Sequence, residues 1–129
     1  MAMIALNTKN NLERLKLALN NKEYYTDDEY RLFLEESGLY PEDVYIKDTM
    51  EIQLLETVIV VLESLSNDVD MMRRVSSDEI GLTTDEAYKY LATRIKTLNE
   101  KILTLKEMNE SQEEYSNIRP IFFNNTITR

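Results

Sequence analysis

Two stretches of this chain carry apolar residues at alternating three- and four-residue steps: Leu55, Val58, Leu62, Leu65, Val69 and Met72, then Tyr88, Leu91, Ile95, Leu98, Ile102 and Leu105. At about 3.6 residues per turn, such steps keep side chains on one face of a helix, so each ladder is a helix seam. A short polar segment separates the two. The simplest structure is two long helices folded back on each other and zipped along these edges, an antiparallel hairpin around which the remaining residues must pack.

Composition agrees with that core. The chain has 129 residues, two glycines and two prolines, and 43% of it is hydrophobic. It is long enough for one domain with a single core, short enough to lean on neighbouring subunits, and too apolar for a disordered segment. Scarce helix breakers leave an all-α class: a small helical bundle built on the hairpin, comprising residues 1–110, with an extended C-terminal tail at residues 111–129.

Capping signals place the other elements. A short first helix is predicted over residues 10–20, with Leu12, Leu15 and Leu19 on one face and Asn10 or Asn11 as its cap. Thr26 and Glu29 have the spacing of a capping box, and Gly38 closes that second helix in a left-handed conformation. Residues 39–47 form a connector. The third helix starts at Asp48, three residues before Glu51, and runs to about Asn67 or on to Arg74. Its β-branched centre, Thr57, Val58, Ile59, Val60 and Val61, would suit a strand in isolation, but the ladder crosses it without a change of period. Apolar nearly all round, this helix should be central. Ser76, Ser77, Asp78 and Gly81 mark a turn, after which Thr83 and Glu86 open the fourth helix, ending near Met108 or Glu110.

Charge narrows the function classes. The net charge is −9, and residues 24–70 hold thirteen acidic groups against two basic ones. Such a surface repels phosphate backbones, so direct, tight nucleic-acid binding is disfavoured, although a negative wall lets a polymer slide past. With no His and no Cys, the side chains most used for nucleophilic and proton-shuttling work near neutral pH are missing, and no glycine-rich phosphate loop is present. No catalytic, cofactor-binding or metal-binding residue is assigned. Adjacent acids such as Asp27 and Asp28 are explained by helix capping, without the spacing of a calcium loop. The N-terminus has no basic region followed by a long apolar core, and the longest apolar run, residues 57–62, is far short of the roughly 20 residues of a membrane span. Lack of cysteine is compatible with a reducing compartment.

The tail is the best candidate for function. Ile118, Arg119, Pro120, Ile121, Phe122 and Phe123 put apolar and aromatic groups near a chain end, where they cost solubility unless they dock, either back on this domain or on another subunit or protein. Of eight tyrosines, Tyr24, Tyr25, Tyr30, Tyr40 and Tyr45 lie in the acidic first half, as core closers or interface residues.

The order of these elements, with Thr26-Asp27-Asp28-Glu29-Tyr30 leading to Gly38-Leu39, then the long apolar helix, then Asp85-Glu86-Ala87-Tyr88-Lys89-Tyr90-Leu91 and a departing tail, resembles the head-tail connector (adaptor) proteins of long-tailed bacteriophages. The likeness spans most of the chain and rests on size, helix order and style of sequence. It implies a structural virion subunit without enzymatic activity or cofactors, assembled in the host cytoplasm into a homo-oligomeric ring of about twelve subunits beneath the portal. Its partners would be the portal protein and a neighbouring connector or stopper, with the tail residues named above making contact and a DNA channel, not a membrane, nearby. A different class also fits: a small acidic helical regulatory module that binds one protein through its tyrosine-rich half.

Overall fold

The computed structural model describes residues 9–78 and 82–128, with side chains for residues 9–77 and 82–111. Among them are five helices: α1 (Asn11–Ala18), α2 (Asp27–Glu36), α3 (Lys47–Ser66), α4 (Val69–Asp78) and α5 (Thr84–Thr128). The one β-type contact among the described residues is an isolated antiparallel bridge between Asn10 and Val44. The molecule is an all-α bundle.

Helices α1 and α2 are fastened at both ends. Asn10 caps α1 by accepting from the Glu13 N–H at 2.8 Å, and the Glu13 carboxylate accepts from the Asn10 N–H at 3.0 Å. Thr26 and Glu29 form the same reciprocal box on α2. At their far ends the chain turns left-handed. Asn20 and Asn21 have φ of 60° and 58°, and Gly38 has φ of 89°. These turns let the N–H of Asn21 reach the carbonyl of Lys16 at 2.8 Å and that of Leu39 reach Leu34 at 2.9 Å, satisfying carbonyls that a helix end leaves open.

The long helices depart from expectation in three places. First, α3 starts at Lys47 with Ile46 as an N-cap that makes no side-chain cap bond, so Asp48 lies inside the first turn and forms no box with Glu51. Its charge still suits the positive helix end. Second, the first ladder is not one helix. The Asp68 carboxylate accepts from the N–H groups of Asp70 at 2.9 Å and Met71 at 3.2 Å, which ends α3 and starts α4. Helix α4 then extends through Val75 and Ser76 to Asp78, where the turn composition predicts loop. Third, α5 does not stop near Glu110. Its helical backbone continues to Thr128, along the stretch expected to be an extended tail.

Packing confirms the central position of α3, which touches each of the other four helices. Leu54, Val58, Val61, Leu62 and Leu65 are buried along it, whereas Leu55 is only half-buried and Val60 faces outward. The seam is therefore rotated slightly from the expected one, because an apolar belt this wide does not mark its own centre. Val69, a rung of the ladder, is 56% exposed, while Met72 and Val75 on α4 are buried. From α5, Ala87 and Leu91 join the core shared with Met72, Val75 and Leu65 at one end. At the other end Leu105 and Asn109 lie against Lys47, Asp48 and Ile52, so α5 runs antiparallel to α3. Lys101 with Glu51 at 3.5 Å and Lys106 with Glu56 at 3.6 Å flank this seam.

Candidate functional site

The predicted contact residues Ile118, Arg119, Pro120, Ile121, Phe122 and Phe123 fall on the α5 backbone, but their side chains lie outside the described residues. Helix α3, with 20 residues, covers about 30 Å of axis, whereas the 45 residues of α5 extend for roughly 67 Å at ~1.5 Å per residue. The hairpin partner is thus too short to cover the last third or more of α5.

The acidic, tyrosine-rich half divides clearly. Tyr30 is fully buried, donating to the Lys22 carbonyl at 2.9 Å and accepting from the Tyr25 N–H at 3.4 Å. Burial raises the pKa of its phenol above the usual tyrosine value. Tyr25 is half-buried, shares a 2.6 Å hydrogen bond with Ser64, and packs edge-on against Tyr30 and Phe33 with ring centroids 6.0 and 5.3 Å away. Tyr45 is half-buried beneath the Arg14 guanidinium, 5.3 Å from the ring centroid, and burial raises its pKa too. Tyr24 also packs against the core. These four close the core beneath loops. Tyr40 alone of the five, 73% exposed, is presented to solvent.

Carboxylates of the acidic half serve the fold. Asp27 pairs with Lys16 at 3.0 Å, and Arg31 is held between Asp28 at 2.8 Å and Glu42 at 2.9 Å. The hydrogen bond to Glu42, followed by that to Asp28, raises the Arg31 pKa. Among the described residues, no group of three or more acidic side chains is placed to hold a metal ion. Glu86, at the start of α5, has its pKa lowered by the backbone N–H of Thr83, a capping effect.

Two features escaped the sequence reading. Asn11 is a fully buried polar residue: its N–H donates to the Asp43 carbonyl at 2.9 Å and its side-chain amide to the Tyr40 carbonyl at 2.7 Å, tying α1 to the connector. Its Oδ1 has no hydrogen-bond partner among the described residues. An asparagine between Asn10 and Leu12 gives no signal of this beyond capping. The other is an open cleft of about 440 Å³ between the start of α3 and the middle of α5, lined by Lys47, Asp48, Thr49, Glu51, Ile52, Leu105 and Asn109. It follows from the register: the seam runs out at Leu105, just where α3 begins. No described helix is long and apolar enough to cross a membrane. Comparison of the chain with protein-family models, with characterised proteins and with solved structures finds no match in any of the three.

Proposed function

We propose that this chain works by contact, as a structural subunit of a protein assembly, in the specific form of a head-tail connector that forms a ring beneath a phage portal. The observation that carries this reading is the mismatch between α3 and α5. A helix that runs so far beyond its hairpin partner needs other protein to cover its apolar groups, and Ile118, Ile121, Phe122 and Phe123 fall in that stretch. The phage assignment rests on the resemblance in element order alone. A ring of acidic subunits also suits a DNA path, because a negative wall does not grip the polymer.

A second reading is a small acidic regulatory module with one protein partner. Exposed Tyr40 and Leu32, at 73% and 55%, beside the carboxylates of α2 favour it.

Mass measurement of the protein alone and mixed with a portal protein distinguishes the two. The connector reading expects a large complex of fixed stoichiometry, and expects truncation after Ser111 to leave the bundle folded while abolishing that complex. A chain that stays monomeric and ignores the portal overturns it. Binding of a single partner that survives the truncation supports the regulatory module.

A further inference from the structure

We propose that the outward face of α2 in one copy of this chain docks on the outward face of α5 in the next, with Leu32 seated over Ala92 and with Glu35 and Glu36 facing Lys89 and Lys96. This inference rests on the connector reading and supplies the contact that joins neighbouring subunits.

The two faces carry opposite charge. Helix α2 holds five acidic residues and one basic, whereas residues 87–106 of α5 hold five basic and one acidic. Most of these groups are engaged within the bundle. Asp27 and Asp28 pair with Lys16 and Arg31, and Glu29 closes the capping box with Thr26, which leaves Glu35 and Glu36. On α5, Arg94 donates to the Ala18 carbonyl while Lys101 and Lys106 pair with Glu51 and Glu56, which leaves Lys89 and Lys96. All four remaining side chains are exposed, and none has an ion pair or hydrogen bond among the described residues.

Spacing matches as well. Glu35 and Glu36 lie three and four residues after Leu32, so they spread to either side of it one turn along α2. Lys89 and Lys96 lie three residues before and four after Ala92, which puts all three on one stripe of α5, turned away from the seam of Leu91, Ile95, Leu98 and Ile102. The two lysines are about 10 Å apart along the axis, and the short, exposed Ala92 between them leaves a shallow seat for a larger side chain. A steep crossing of α2 over α5 sets one glutamate toward each lysine. It also takes Leu32, 55% exposed, out of water.

Within one chain the two faces do not meet. Helix α2 touches α1 and α3 and makes no contact with α5 among the described residues, so the face opposite Leu32 belongs to another molecule. Because every chain presents both faces, a second copy supplies what each one lacks. Contact between unlike patches repeats from subunit to subunit, and such a head-to-tail arrangement is the kind that closes into a ring.

Charge reversal in the full chain tests this. One variant carries Glu35→Lys with Glu36→Lys, the other Lys89→Glu with Lys96→Glu, and both are compared with the parent chain by mass measurement, alone and with a portal protein. Each variant by itself sets like charge against like and should need at least about tenfold more protein to assemble. An equimolar mixture of the two should assemble as the parent does, since every contact between unlike variants is again between opposite charges; this recovery also shows that both variants fold. Assembly of either variant alone at the parent's concentration overturns the proposal, and so does a mixture of variants with the parent's circular dichroism that stays apart. As a second measure, assembly of the parent chain should weaken about tenfold between low and high salt, and indifference to salt overturns the proposal without any variant. These results leave the connector reading standing, whereas a parent chain that stays monomeric even with the portal overturns both.

Discussion

Helices α1 and α2 are held by their ends, whereas α3 is held by its sides. The short pair, eight and ten residues long, is below the length at which helices persist in water, and each has a capping box at its start and a left-handed residue after its end. Helix α3 has no side-chain cap at its start, but seven of its residues are buried. The contrast shows that lateral burial can stand in for end fastening in α3, whereas α5 has both, with a buried stripe and a Thr83–Glu86 capping box at its start.

That contrast can be broken from the lateral side first. Leu65→Ala leaves a void where α3 meets the ends of α4 and α5, and should lower unfolding free energy by about 3 kcal/mol in urea melts. A loss below about 1 kcal/mol would show the seam to be secondary. Next comes the closure of α2. Gly38→Ala forces a side chain into φ of 89° and sets its Cβ 3.3 Å from Gln53 Nε2, with an expected cost of about 1 to 2 kcal/mol in the same melts. Removing the α2 cap with Thr26→Ala should cost about 1 kcal/mol, and calorimetry should show more damage there than from Thr49→Ala in uncapped α3. Smaller still, a double-mutant cycle on Lys101 and Glu51 should give a coupling under about 1 kcal/mol that vanishes in high salt, since the lysine is largely solvated.

Titration sharpens the same comparison. The Glu86 pKa is lowered below its ordinary value of 4.5, so this carboxylate stabilises the start of α5 above that pH and loses its contribution as the pH falls through the lower folded value. Glu86→Gln should flatten the acid limb of a stability-against-pH curve. Tyr30 behaves oppositely. With its pKa raised above 10.0, its contribution is complete below that value and is lost as the pH climbs through the higher folded one. Tyr30→Phe should soften the alkaline limb, at the expense of its hydrogen bond to Lys22.

Much of the fold was legible because its signals are local. Asn10, Thr26, Gly38 and Thr83 each act within a few residues, and each performs the expected task. The second ladder likewise points its residues inward, with Leu91 and Ile102 buried and Ile95 and Leu98 half-buried. The failures came from competition. At residues 66–69 an unbroken apolar period hid a side-chain cap, and Asp68 won because it satisfies two N–H groups at once. At Ser76 and Ser77 the turn composition was outweighed by burial of Val75 and by the Ser76 hydroxyl bonding back to the Met72 carbonyl at 3.1 Å. The candidate sites were less accessible, since neither the burial of Asn11 nor the cleft beside Leu105 is set by local sequence. Both depend on which distant segment arrives opposite.

Two arginines close the back of the molecule. Arg94 of α5 donates to the carbonyl of Ala18 at the end of α1, and Arg74 of α4 to the carbonyl of Glu23, across 76 and 51 residues of chain. During synthesis, helices α1, α2 and α3 leave the ribosome well before Arg94 does. The Ala18 carbonyl must therefore wait for a latch that is translated late, which couples the final fastening of the first helix to completion of the last.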